Sequence, residues 1–169
     1  HNISVPEICA AGGVKYYYHC RGNVRKENIY RWKGRGGSEL IVYRDPHWYN
    51  FPIEEDMFSD APILCKQHGI SELLTAYGVG DHGGGPTRRD LDRIVELAKW
   101  PIMPTVMFST YSAFFHELET QKANLPIREG EMNFVFTGCY TSQSRIKMAN
   151  RIGEDRIYES EFLGAAANA

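Results

Sequence analysis

Residues 78–87 read Gly-Val-Gly-Asp-His-Gly-Gly-Gly-Pro-Thr, a single carboxylate (Asp81) and a single imidazole (His82) set among five glycines. Glycine gives up more backbone entropy on folding than any other residue, so such a cluster marks a tight chain path or a backbone that a ligand approaches closely. An acid in this setting has few neighbouring side chains to shield it, which makes Asp81 the candidate catalytic group. His82 is a candidate ligand contact through its adjacency to Asp81. Gly78, Gly80 and Gly83 also satisfy a dinucleotide-binding string, but an anionic side chain sits inside it and the helix begins only after Pro86. The acidic residue expected about 20 positions on is replaced by Trp100-Pro101-Ile102. No Gly-Lys-Ser/Thr closes the run, so it is not a phosphate-binding loop. A structural turn with Asp81 as a local hydrogen-bond acceptor is the plainer alternative.

A second group of side chains with chemical potential is Asp45-Pro46-His47-Trp48-Tyr49-Asn50. Aromatic bodies with polar tips suit a half-wet sugar-binding surface; a proline-nucleated turn with Trp48 plugging the core is the competing and favoured reading. His47 has no second donor at helical or strand spacing and makes no metal site by itself. His19, in an aromatic run, reads as a packed and hydrogen-bonded core histidine, and His68 and His116 as ordinary helix residues. Arg21 follows the first strand and can reach a cleft or form a surface salt bridge. Arg88-Arg89 occupies a first helical turn, where the helix dipole disfavours cations. Tyr140, where a strand meets a helix, offers a hydroxyl for ligand contact, while Ser142 reads as a cap. The candidate ligand contacts are thus His82, Arg21, Trp48 and Tyr140.

These residues must be carried by alternating elements. Proline near the start and Gly12-Gly13 at the end bound a helix over 6–11. An aromatic strand spans 14–20, and strands over 30–33 and 39–44 flank a glycine-rich five-residue loop, the signature of a hairpin. Asp60 is placed to cap a helix over 61–68, and a strand over 73–79 leads into the glycine run. Thr87 and Asp90 form a capping-box pair ahead of Leu91, Ile94, Val95 and Ala98 at helical spacing. A strand over 105–109, a helix over 112–123, a strand over 132–136 and a helix from about 142 follow. Gly153 either stops that last helix or weakens it. The alternation predicts an α/β fold with a mostly parallel sheet, whose ligands gather at the carboxyl ends of strands.

At 169 residues the chain suits one domain with a real core. Its 19 basic and 21 acidic residues give a net charge of −2, which argues against phosphate-driven nucleic-acid binding. No apolar stretch approaches the roughly 20 residues of a membrane span. Cys9, Cys20, Cys65 and Cys139 are far apart with no C-x-x-C pair, so reduced thiols and a cytoplasmic setting are expected. The chain opens at His1 without a methionine and is expected to be a piece of something longer.

Taken together, these motifs resemble the α-mannosidases of glycoside hydrolase family 38, especially the bacterial type. The run Gly-x-Gly-Asp-x-Gly-Gly-Gly-Pro-Thr at 78–87 is similar to the family's glycine motif. The segment Thr137-Gly138-Cys139-Tyr140-Thr141-Ser142-Gln143, with Lys147 and Asn150-Arg151, resembles its Gly-x-Tyr-Thr-Ser-x motif. His1, Pro6, Gly13 and Lys15-Tyr16-Tyr17 match the stretch that closes and follows its Asp-x-Phe-Gly-His motif. The resemblance implies a (β/α) barrel-like catalytic domain, of which 1–169 would be one partial α/β domain whose C-terminal helix leads into a helical bundle. It implies retaining hydrolysis of α-mannosides or mannose-containing oligosaccharides, with Asp81 as general acid/base and zinc as cofactor. The family nucleophile would fall just before His1, its His-x-Asp zinc pair further upstream, and its last zinc histidine beyond this chain. No metal ligand is therefore expected within the chain, and the isolated piece is expected neither to bind zinc catalytically nor to turn over mannosides. His82 stands where many versions of the motif carry glycine. Contacts with a second copy or with the remainder of the same enzyme are the expected protein partnerships, with no nucleic acid or membrane. The rival from another class is a non-catalytic carbohydrate-binding module using Trp48, Tyr49 and the glycine loop as a platform; a nucleotide-binding domain is more distant.

Overall fold

The short aromatic and β-branched runs 16–19, 29–33 and 39–44 fit a pleated surface and pair as the heart of a four-stranded sheet. A computed structural model describes residues 2–22, 27–50, 52–54, 56–81, 83–120, 125–132, 138 and 143–168, and divides the chain into units 1–132 and 133–169. The first unit carries α1 (Val5–Ala11), β1 (Tyr16–His19), β2 (Ile29–Lys33), β3 (Glu39–Arg44), α2 (Asp56–His68), α3 (Arg88–Leu97), α4 (Tyr111–Thr120) and β4 (Ile127–Glu129). The second carries α5 (Ser144–Ala167), which runs unbroken through Gly153 and buries none of its side chains. Among the described residues no helix is long and apolar enough to cross a membrane.

The strand order is β1-β3-β2-β4. β2 and β3 form the expected hairpin, Ile29 opposite Tyr43 and Lys33 opposite Glu39, closed by the five residues 34–38 with Gly37 at φ +91°. β1 lies parallel to β3, and β4 parallel to β2. The sheet is thus mixed, with two of its three pairings parallel and the hairpin antiparallel, because a five-residue connection can only return the chain antiparallel. Among the described residues the expected strands over 73–79 and 105–109 form no ladder. Strand propensity measures fit to a neighbouring strand, and along 73–79 side chains take that neighbour's place. Ala76 N–H donates to Asp45 Oδ2 at 3.3 Å, and Tyr43 hydroxyl donates to the Leu74 carbonyl. Beyond Met132, the expected strand over 132–136 lies outside the described residues.

Alternation along the strands makes two apolar faces. Ile29, Tyr43, Tyr16 and Ile41 meet Phe114, Phe115 and Leu118 of α4 together with Ile70. On the other face Tyr30, Trp32, Leu40, Val42 and Tyr17 meet Val5 and Cys9 of α1 and Met132. Glu7 fixes α1 to the hairpin tip by accepting from Gly36 N–H at 2.7 Å. A Cβ at Gly34 would lie 2.2 Å from the Glu7 carboxylate, so a larger residue there would displace that side chain from the hairpin tip. α2 starts a turn earlier than Asp60 capping predicts and holds Pro62 in its interior. Met57 in this extra turn is buried, and Pro62 forfeits one backbone bond of the helix. α3 is capped as expected: Thr87 Oγ1 accepts from Asp90 N–H, and Asp90 accepts from Thr87 N–H at 2.7 Å.

His19 ends β1 as a buried core histidine. The Arg21 carbonyl can only accept, so Nδ1 carries the ring proton, and Nε2 accepts from the Tyr30 hydroxyl at 2.7 Å. Burial lowers its pKa below the ordinary 6.5; the bond to the Arg21 carbonyl opposes this and the charge on Arg44 adds to it. Below pH 6.5 the unfolded chain therefore takes up a proton that the folded chain refuses, and stability is lost as the pH falls. Urea unfolding should show a falling midpoint between about pH 7 and about pH 5. His19→Gln, which can keep an N–H for Arg21 and an oxygen for Tyr30 without titrating, should flatten that slope. A slope unchanged in the variant would assign the titration to another group.

Candidate functional site

Parallel neighbours end at the same edge of a sheet, so the chains leaving β1 and β3 emerge side by side, His19 in register with Arg44. Arg21 follows β1, and the Asp45–Asn50 turn follows β3. This edge is where an α/β sheet presents its ligand-binding loops.

Asp45 organises the turn. Its carboxylate is 2% exposed and accepts three hydrogen bonds: from the Tyr18 hydroxyl at 2.8 Å, from His47 N–H at 3.0 Å and from Ala76 N–H at 3.3 Å. The bond to His47 closes the tight turn over Pro46, that to Tyr18 joins it to β1, and that to Ala76 holds the segment entering the glycine run. Burial raises the Asp45 pKa above its ordinary value, overriding the three bonds, which lower it. His47 faces α2, with Nε2 4.0 Å from Asp60 Oδ2.

Beyond this turn, Trp48 and Tyr49 stack with centroids 5.6 Å apart. The Arg21 guanidinium lies 4.9 Å from the Trp48 ring centre and 5.9 Å from that of Tyr49, and Nη2 donates to the Tyr49 hydroxyl at 3.4 Å. Trp48 is 41% exposed and plugs no core, which corrects that reading; its neighbours are cationic and aromatic rather than aliphatic.

The glycine run folds back on itself. Gly80 and Gly84 form a bridge, Gly83 N–H donates to the Gly80 carbonyl at 3.2 Å, and Asp81 projects from the intervening turn with its side chain exposed. Gly80 has φ +80°, and a Cβ on it would lie 2.7 Å from Tyr49 Cε2 and 3.1 Å from Asn50 Cβ. The turn that carries Asp81 is thereby seated against the aromatic platform. The structure brings together Arg21, Trp48 and Tyr49, and sets Gly80, the residue before Asp81, against Tyr49. His82 and Tyr140 lie outside the described residues. Asp45 was not singled out as a positioning group, although an Asp ahead of proline at a strand end is a recognisable turn signal. Among the described residues no three His, Cys, Asp or Glu side chains are grouped to hold a metal ion. These residues do not fit a zinc centre, and no chemical step is derived through one.

Residues 1–138 match the family model for the glycosyl hydrolases family 38 N-terminal domain. The chain is 31% identical to Alpha-mannosidase G of Dictyostelium discoideum, over 96% of this chain and 16% of that protein. It is 30% identical to human Alpha-mannosidase 2C1, over 100% of this chain and 17% of that protein, and 26% identical to the Alpha-mannosidase of Saccharomyces cerevisiae, over 98% and 17%. The chain therefore spans under a fifth of the length of these curated relatives.

Gly80→Ala should destabilise the fold, since the left-handed backbone costs a residue with a Cβ about 1–2 kcal/mol before any clash with Tyr49. In a double-mutant cycle read by urea unfolding, Tyr49→Ala should relieve part of that loss, so that the pair costs less than the sum of the single changes. Strict additivity would separate the glycine turn from the aromatic platform.

Proposed function

The chain belongs to glycosyl hydrolase family 38, and we propose that it forms part of the catalytic domain of a zinc-dependent, retaining α-mannosidase. Within that enzyme its mixed sheet would be one section of a barrel-like domain, and its substrate a mannose-containing glycan. The observation that carries this reading is the seating of the Asp81 turn against the Arg21–Trp48–Tyr49 platform at the carboxyl edge of β1 and β3.

Asp81 acts as general acid/base. In the first half-reaction its proton goes to the glycosidic oxygen as the bond from C1 to that oxygen breaks and a carboxylate from the rest of the enzyme bonds to C1. In the second, Asp81 takes a proton from water as the water oxygen bonds to C1 and the carboxylate departs, so the configuration is retained. The two carboxyl groups would stand about 5–5.5 Å apart. Trp48 and Tyr49 offer faces for the C–H side of a sugar ring and Arg21 offers N–H donors to its hydroxyls. In the complete enzyme, residues outside this chain would hold the zinc, which would supply coordination of substrate hydroxyls.

The exposed Trp48, stacked on a half-buried Tyr49, equally suits a non-catalytic sugar-binding module, and one substitution separates the two. In the complete enzyme, Asp81→Asn should lower kcat on a mannose disaccharide by about 100- to 10,000-fold, the usual contribution of a positioned acid/base, with the melting temperature retained. Near-normal turnover by that variant would remove Asp81 from the mechanism and favour the binding module.

A further inference from the structure

The turn 45–50 touches the chain that carries Asp81 at two points. Where that chain enters the glycine run, Ala76 N–H donates to Asp45 Oδ2 at 3.3 Å. Further on, a Cβ on Gly80 would lie 2.7 Å from Tyr49 Cε2 and 3.1 Å from Asn50 Cβ. Asp81 is the next residue. Bonds within the run shape it without tying it to the sheet: Val79 N–H donates to the Gly85 carbonyl at 3.4 Å, and Gly83 N–H to the Gly80 carbonyl at 3.2 Å. Between the two points of contact stands Gly78 at φ +123°, ahead of Gly80 at φ +80°. Glycine has more backbone freedom to lose than any other residue, so contacts from outside must hold this stretch in place.

We propose that Asp45 is a positioning residue of the reaction, holding the Asp81 carboxyl at the glycosidic oxygen through Ala76 at one point and through Tyr49 and Asn50 at the other. The proposal rests on the reading of Asp81 as acid/base. Asp45 makes the first contact directly. It controls the second through Oδ1, which accepts from His47 N–H at 3.0 Å and closes the turn that sets out Tyr49 and Asn50. Proton transfer needs the acid within about 2.6–3.2 Å of its target, so a small drift of the Asp81 turn is costly.

The donors explain why a carboxylate stands here. Oδ2 takes two of them, the Tyr18 hydroxyl at 2.8 Å and Ala76 N–H, and Oδ1 takes His47 N–H. An ionised carboxylate only accepts, so it satisfies all three. An amide of the same shape has one oxygen and one NH2 group. With its oxygen toward Tyr18 and Ala76, the NH2 group faces His47 N–H and the turn loses its closing bond. With its oxygen toward His47, the NH2 group faces Ala76 N–H. Either orientation gives up one of the two contacts with the Asp81 segment. Asp45 is 2% exposed, so water does not replace the lost partner.

The test compares two substrates of the complete enzyme. A mannose disaccharide needs a proton on its leaving oxygen, whereas a dinitrophenyl α-mannoside releases a stable anion without one. The ratio of kcat/KM on the first to kcat/KM on the second follows the acid, since a loss of folded enzyme lowers both alike. Asp45→Asn should lower this ratio about 10- to 100-fold, the cost of a misplaced reacting group. Tyr18→Phe, which frees Oδ2 from β1 and spares the other two donors, should lower it about threefold, the equivalent of a weak hydrogen bond. It serves where Asp45→Asn does not fold. A ratio unchanged in the folded variant, with both substrates falling together, overturns the positioning role. Asp81→Asn on the same two substrates keeps the readings apart. A lowered ratio there with none for Asp45→Asn sinks the positioning role alone, whereas near-normal disaccharide turnover there sinks the acid/base reading itself.

Discussion

A buried carboxylate with three donors converging on it holds this site together. Asp45 is costly to place where it is, since desolvation penalises its charge enough to outweigh the hydrogen bonds in setting its pKa. The cost is tolerated because each donor belongs to a different part of the chain: Tyr18 to β1, His47 to the turn after β3, and Ala76 to the segment that enters the glycine run. Leaving one such partner unsatisfied in the interior costs about 1–3 kcal/mol. The three segments are therefore locked in one arrangement, and no β ladder is needed to align them.

From that lock the functional residues follow in order. The turn at Asp45 presents Trp48 and Tyr49; Tyr49 meets Gly80, and Gly80 carries the turn from which Asp81 projects. A second tether works at the neighbouring strand end. His19, neutral and buried, takes the Arg21 carbonyl on Nδ1 and so fixes the backbone from which the guanidinium reaches across both rings. Loops carry the chemistry, and the ends of a parallel strand pair carry the loops.

Local rules were legible in the sequence wherever the physics is local. The hairpin of β2 and β3, the capping box at Thr87 and Asp90 and the glycine stop after α1 all depend on residues near one another in the chain. What was not legible depends on partners distant in sequence. Residues 73–79 and 105–109 have strand-like composition, yet the former are held by Tyr43 and Asp45 side chains instead of a ladder. β4 pairs three residues, Ile127–Glu129, with β2 across almost a hundred positions and leaves no local pattern. A large aromatic two residues after a proline has no fixed burial until its neighbours are known, and at Trp48 a guanidinium and a tyrosine ring resolve it.

The glycines of the run divide by the constraint each meets. Gly83 has room for a Cβ but a φ of +96°, so conformation alone requires it. At Gly80 conformation and space coincide, since the left-handed backbone lies directly under the Tyr49 ring. Gly85 meets neither constraint among the described residues: nothing lies within 4 Å of a Cβ built there, and its φ is outside the left-handed range. Backbone geometry thus accounts for Gly80 and Gly83 but supplies no reason for glycine at position 85. The uneven demand along the run is what a loop shaped jointly by its own fold and by a ligand would show.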